Sequence, residues 1–248
     1  MHLELFDIDF DDPLYQDFLA EQERAYARLG HETMVRFGKG DPRVGADALS
    51  CVAAVDDDGR LVGGVRIHHG VKGELPSEIH LRSPEVSSAV AAARARGEVV
   101  AELSGAWVAP QWKGRHLVTV LVVAGVAAAE TLGATALLGS CSAPLTGTYE
   151  RCGYRWRWEH PLVDAPLPGV TSYYSIDRIE AFHHREARLT RALHALGQGL
   201  RSTRERVPEQ VLRVCADQLG LRLFEPSQPS QPSLPSQRSM PSTSSPEA

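Results

Sequence analysis

Glu102 is a lone carboxylate inside an apolar run. Residues 99–108 read VVAELSGAWV, are partly β-branched, and end at Ala109-Pro110, where proline cannot continue a ladder, so a buried strand is expected. An unpaired charge is costly in such a place, and the carboxylate must be solvated, paired or raised in pKa. Those are the properties of a general base, although a structural carboxylate paired with Arg66 or a nearby N–H meets the same demand. Strand alternation puts Glu102, Ser104, Ala106 and Val108 on one face, and Leu103, Gly105 and Trp107 on the other.

A second chemical feature follows at once. The turn Gln111-Trp112-Lys113-Gly114-Arg115-His116 leads into an apolar, alanine-rich run from Leu117 to Leu132, long enough for a helix and closed by Gly133. Strand, glycine-bearing turn and helix together make an anion site. The unpaired N–H groups of the first helical turn, the macrodipole and Lys113 or Arg115 would all favour a phosphate. Many such units bind nothing, so the residues alone reach no further than a phosphate-like ligand. Beyond the helix, Thr135 to Cys141 reads as another strand and Pro144 to Arg151 as a short helix carrying Tyr149, with further strands at Tyr154 to Glu159 and Thr171 to Ile176.

At this point the sequence resembles a known family. The order Val108-Ala-Pro-Gln111-x-x-Gly114-x-x-Leu117, a strand, and then Tyr149-Glu150-Arg151-Cys152-Gly153-Tyr154 is similar to the GCN5-related N-acyltransferase (GNAT) superfamily. That resemblance implies an α/β (α+β) fold with a mixed, mostly antiparallel central sheet flanked by helices. It implies acyl transfer from a pantetheine thioester, most simply acetyl-CoA or another acyl-CoA, to a primary amine by direct attack, without metal or covalent enzyme intermediate. Glu102 would then be the base and Tyr149 the acid that protonates the leaving thiolate. The cradle for the donor's pyrophosphate would be the Gln111, Trp112, Lys113, Gly114, Arg115, His116 and Leu117 backbone. Trp107 and Val108 would pair with the pantetheine amides by strand addition, and Ser142 stands where many members have an asparagine. His116 departs from the family pattern, which has Gly or Ala there. A weaker echo, Gly64-Val65-Arg66-Ile67 followed by Glu102-Leu103-Ser104, resembles the acyl-homoserine-lactone synthase and N-acyl amino acid synthase branch, whose donor would be an acyl carrier protein. Its motif is Glu-Leu-Ser-Arg, and Gly105 occupies the arginine position here. Arg66, His68 and Ser104 are the accompanying candidates for acceptor binding.

The remaining elements must position these groups. His2 to Phe10 is expected as a first strand, and a helix begins at Asp12-Pro13 and runs to Gly30. His31 to Leu49 reads as a loop. Ser50 to Val55 and Leu61 to His68 flank Asp-Gly in a hairpin, with Gly63-Gly64 marking a bulge or a close backbone approach. Ser83-Pro84-Glu85 opens a helix that Gly97 ends. His68 and His69 are adjacent strand residues facing opposite ways, which disfavours a shared metal.

The resemblance covers residues 1–178. Residues 179–224 read as a helical extension, one helix from Arg178 to Leu200 and a second starting at Pro208, packing on the catalytic unit or making a homodimer. Residues 225–248 are rich in Ser, Pro and Gln and are expected to be disordered. A length of 248 residues with 43% hydrophobic content suits one globular domain plus appendages, and a net charge of −5 argues against nucleic acid as principal partner. Cys51, Cys141, Cys152 and Cys215 show no metal or disulfide spacing and are expected as reduced, buried thiols. With no signal peptide or membrane span visible, a cytoplasmic protein is expected, acting on a small-molecule or peptide amine.

Overall fold

The computed structural model describes residues 1–9, 11–28, 49–69, 74–164, 168–201 and 206–221. The expected loop at residues 31–48 and the tail from residue 225 lie outside the described residues. The apolar runs become β1 (His2–Asp7), β2 (Leu49–Val55), β3 (Leu61–His69), β4 (Val100–Val108) and β5 (Ala136–Ser142), followed by β6 (Leu162–Val163), β7 (Thr171–Arg178) and β8 (Arg206–Pro208). They form one sheet in the order β6-β7-β5-β4-β3-β2-β1-β8. Every neighbouring pair is antiparallel except β4 and β5, which run parallel.

Two helices start at side-chain caps that the sequence supplies. In α1 (Pro13–Ala27) the Asp12 carboxylate accepts from the Leu14 N–H at 2.8 Å, and in α3 (Pro84–Ala95) the Ser83 hydroxyl accepts from the Val86 N–H at 3.3 Å. Between them lies α2 (Pro76–Leu81), which the sequence reading missed. Its signal is Pro76 in the first turn and Glu78, whose carboxylate accepts from the Leu75 N–H at 3.0 Å. The parallel step from β4 to β5 needs a crossover, supplied by α4 (Leu117–Thr131), whose buried residues wrap nearly all round it. Then come α5 (Thr146–Arg151), α6 (Ile179–Arg185), α7 (Ala187–Gly199) and α8 (Glu209–Gln218). The single helix expected from Arg178 to Leu200 is two, because Glu186 is extended at φ −149° and ψ 133°.

Helices α1, α2 and α3 cover one face of the sheet, and α4 with α7 and α8 covers the other, where Leu193, Leu196, Leu212 and Cys215 join the main apolar core. The strand β8 adds to the sheet edge by pairing with β1, which the sequence did not announce because it is only three residues long. Residues 154–159 are not the strand that was expected. The Arg155 N–H donates to the Ser175 hydroxyl at 3.2 Å rather than to a backbone carbonyl, and only the Arg157 N–H, donating to Tyr174 O at 2.9 Å, reaches the β7 backbone. Without a ladder the segment is held by its side chains, Trp156 stacking on Tyr154 with ring centroids 5.6 Å apart, while Trp158 stands exposed against Tyr173.

A bulge in β4 decides the geometry of the site. Gly64 pairs with Trp107 and Arg66 with Ser104, so Gly105 and Ala106 together stand opposite Val65. Gly105 has φ +61°, the left-handed conformation that glycine enters without penalty. The extra residue resets the alternation read from the sequence. Cross-strand partners share a face, so Trp107 joins Glu102 and Ser104 on the α1 side, packing edge-on against Phe18 at 5.6 Å. Val108 is turned to the α4 side with Leu121. The glycine pair of β3 serves close approach as expected: a Cβ at Gly64 would stand 2.2 Å from the Phe18 ring.

Gly139 of β5 is equally constrained, since a Cβ there would stand 2.3 Å from Cε1 of the fully buried Tyr154. Gly139→Ala is expected to cost about 2 kcal/mol of stability through overpacking, read by urea unfolding. An unchanged midpoint would show that Tyr154 can yield.

Candidate active site

Backbone pairing between β4 and β5 stops at Leu103 and Gly139. Beyond that point the strands part, and Ser104 to Val108 have no partner on their β5 side among the described residues. A cavity of about 680 Å³ occupies the gap. Arg66, Ser77, Glu102, Ser104 and Ser140 line it from the α1 and α2 side of the sheet, and Val122, Cys141 and Tyr149 from the α4 side. Two α1 side chains hold the parted strand: the Tyr26 hydroxyl donates to Ala106 O at 3.0 Å, and the Gln22 amide donates to Gly105 O.

Glu102 is buried, 2% exposed, and is held by one residue. The Ser77 N–H donates to Oε2 at 2.9 Å and the Ser77 hydroxyl donates to Oε1 at 2.7 Å. Of the two roles open to this carboxylate, pairing with a nearby N–H is thus present, and it does not remove the other. Burial pushes the Glu102 pKa up to about 7; the two Ser77 hydrogen bonds and Arg66 oppose the rise, and Glu78 adds to it. A carboxyl with that pKa exchanges protons near neutral pH. Ser77 in turn meets the Ser140 hydroxyl at 2.9 Å. Neither serine was singled out in the sequence, because Ser77 becomes meaningful only once α2 sets it over β4.

Tyr149 sits on α5 with its ring packed edge-on against Tyr154 at 5.8 Å and Trp156 at 6.2 Å. Burial raises its pKa well above that of an ordinary tyrosine, so the phenol keeps its proton at neutral pH. Ser142, at the end of β5, lines the same cavity. Arg66 is 1% exposed, and its guanidinium nitrogens lie 2.7 and 3.1 Å from where a Cβ on Gly105 would be. His68 does not line the cavity but meets the Ser104 hydroxyl at 2.6 Å through Nε2; burial and the neighbouring Arg66 lower its pKa far enough to keep it neutral.

The turn after β4 stands apart from the cavity. Trp107, Val108 and Gln111 to Leu117 lie outside the cavity lining. Residues 110–112 form one 3-10 turn, Gly114 has φ +74°, and His116 caps α4 in the left-handed conformation at φ 57° and ψ 12°. His116 thus adopts at the family's Gly/Ala position a backbone that costs a non-glycine residue about 1 kcal/mol. Its side chain makes no capping bond to the helix. Arg115 lies over the Trp112 ring at 5.3 Å, which keeps a cation beside the first turn of α4.

All four cysteines are buried and unbridged. Among the described residues no helix is long and apolar enough to cross a membrane, and no three His, Cys, Asp or Glu side chains cluster as metal ligands.

A sheet that parts beside one parallel pair, with a turn and helix amino terminus at the end of the parted strand, defines a class of fold. The chain belongs to the acetyltransferase (GNAT) family, which it matches over residues 12–154. Among solved structures it is similar to FeeM, an N-acyl amino acid synthase from uncultured soil microbes, with a TM-score of 0.55 and 13% identity over 77% of this chain and 98% of that one. The CoA-dependent acyl-homoserine lactone synthase BjaI aligns over 94% of this chain and 96% of its own, at 15% identity and a TM-score of 0.46. A polyamine N-acetyltransferase of Drosophila melanogaster aligns over 71% and 99%, at 16% identity and a TM-score of 0.49. At such identities the likeness is one of fold. No curated protein sequence matches the chain.

The Glu102 pKa has a consequence for stability. Folding raises it from 4.5 to about 7, so between those values the folded state binds more protons than the unfolded chain, and stability falls as pH rises through that window. The loss approaches about 3 kcal/mol once Glu102 is ionised. Urea unfolding at about pH 5 and about pH 8 should show this decline in the wild type and a flatter profile in Glu102→Gln. Equal slopes would mean that Glu102 titrates normally.

Proposed function

We propose that this protein is an N-acyltransferase that moves an acyl group from acyl-CoA to a primary amine by direct attack. The observation that carries the reading is the buried, high-pKa carboxylate of Glu102, set in the cavity where β4 leaves β5. In this reading the pantetheine arm enters the gap and pairs with the free edge of β4 at Trp107 and Val108, completing the interrupted ladder. The Gln111 to Leu117 backbone receives the pyrophosphate at the α4 amino terminus, with Lys113 and Arg115 adding charge and Ser142 contacting the donor.

The chemistry then needs two proton transfers. Glu102 takes a proton from the acceptor ammonium, which frees the nitrogen lone pair to attack the thioester carbonyl. The C–S bond breaks as the amide forms, and the thiolate takes the Tyr149 proton. Glu102 and Tyr149 suit these tasks because burial keeps the first near neutrality and the second protonated. Transfer to an amino acid, the activity named for FeeM, is a second reading. It is favoured by the Arg66 guanidinium, which lines the cavity and fills the space left by Gly105, where it can meet an acceptor carboxylate.

Thiol release from acetyl-CoA and octanoyl-CoA, with agmatine, spermidine and L-phenylalanine as acceptors, tests the reading. Turnover by wild type is expected, with kcat lowered at least about 100-fold in Glu102→Gln and about 10-fold or more in Tyr149→Phe, while CoA affinity stays close to wild type. CoA binding without turnover on any acceptor would instead mark a non-catalytic acyl-CoA-binding module, and L-phenylalanine as the preferred acceptor would favour the second reading.

A further inference from the structure

The base of this site has both of its oxygens engaged by Ser77, and the residue is 2% exposed. An acceptor amine in the cavity therefore has little of the Glu102 carboxylate to meet directly. The hydrogen-bond directions supply a path. The Ser77 hydroxyl donates to Glu102 Oε1 at 2.7 Å, which leaves its lone pairs as acceptors for the Ser140 hydroxyl 2.9 Å away. Ser140 stands at the parted end of β5, is half-buried and lines the cavity, so its hydroxyl is within reach of an occupant.

We propose that Ser140 and Ser77 form a two-hydroxyl relay that carries the acceptor's proton to Glu102. The inference rests on the acyl-transfer reading above. In the step, the ammonium N–H bond breaks as its proton passes to Ser140 Oγ, the Ser140 proton passes to Ser77 Oγ, and the Ser77 proton passes to Glu102 Oε1. Each hydroxyl gains one proton and gives one, the amine keeps the lone pair for attack, and the only net change is one proton moved from nitrogen to carboxylate. The Ser77 N–H stays on Oε2 throughout and holds the carboxylate in place.

The charged and titratable groups around this path lie on α2, on β3 and just beyond α5, and His80 of α2 lines the same cavity. Glu78 of α2 raises the Glu102 pKa, Arg66 of β3 lowers it, and His68 of β3 is neutral and tied to Ser104, so it offers no competing path. Tyr154 lies within electrostatic reach of Glu102 on the other side of β5 and keeps its proton.

The experiment is a pH profile of thiol release for wild type, Ser140→Ala, Ser140→Thr and Ser77→Ala, using whichever donor and acceptor of the panel above turn over fastest. It is run in water and in deuterium oxide, with melting temperature and CoA affinity confirming the fold. The relay predicts that Ser140→Ala loses at least about 10-fold in kcat with the KM for the donor unchanged, and that Ser140→Thr, which restores the hydroxyl, recovers most of the loss. It also predicts that wild type shows a solvent isotope effect with more than one proton in flight, which falls in Ser140→Ala. Turnover by Ser140→Ala at the wild-type rate, or equal loss in the Thr and Ala variants, would overturn the relay while leaving the acyl-transfer reading intact. No turnover by wild type would overturn that reading itself. The link from Ser77 to Glu102 is read separately by carbon-13 NMR titration of the Glu102 carboxyl, where Ser77→Ala should raise the midpoint by about half a pH unit or more. An unchanged midpoint would overturn the relay whether or not the protein turns over.

Discussion

The parting of β4 from β5 after Leu103 is the constraint on which the rest of the site depends. Two parallel strands in register would close the gap and leave no cavity. The bulge at Gly105 and Ala106 changes the direction and twist of β4 at that point, and it requires a residue that enters the left-handed region freely. Helix α1 then secures the change. Gln22 and Tyr26 take the Gly105 and Ala106 carbonyls that a continued ladder would have satisfied, so separating the strands leaves those acceptors paired. A side chain at residue 105 would be strained by the positive φ and would displace the ends of Gln22 and Arg66, which stand in its space.

Once the sheet is open, the electrostatics follow from burial. Glu102 and Tyr149 approach the cavity from opposite faces, and both are pushed upward by desolvation. The outcomes differ because a carboxyl starts at 4.5 and a phenol at 10, and the two Ser77 donors with Arg66 limit the carboxyl's rise to about neutrality. A carboxyl poised to exchange its proton and a phenol fixed in its protonated form are what base and acid roles in acyl transfer require. Arg66 keeps a positive charge in an otherwise largely apolar lining without pulling the carboxyl down to its ordinary value.

Much of this was legible in the sequence. Apolar runs gave β1 to β5, Asp12-Pro13 and Ser83-Pro84 gave two helix starts, and the glycine-bearing turn at Gly114 gave the entry to α4. Glu102 stood out because a lone carboxylate in such a run needs a reason. Other features depended on contacts that linear pattern does not encode. The face of Trp107 was misread because period-two alternation assumes an unbroken ladder, and the bulge breaks it. Tyr154 to Glu159 looked like a strand because Trp156 and Trp158 alternate with Arg155 and Arg157, yet its hydrogen bonds run partly to a side chain and Trp158 is exposed. Ser77 and Ser140 were invisible because they are 63 positions apart and meet only when α2 lies across the open end of the sheet.

Hydrogen exchange of the backbone amides with and without acetyl-CoA tests the central claim, that the open edge of β4 and the first turn of α4 receive the donor. The account predicts slower exchange at Ser104 to Val108 and at Gly114 to Thr119 when acetyl-CoA is bound, with the rest of the sheet little changed. Acetyl-CoA binding that leaves those amides unprotected, or protects another face, would contradict it.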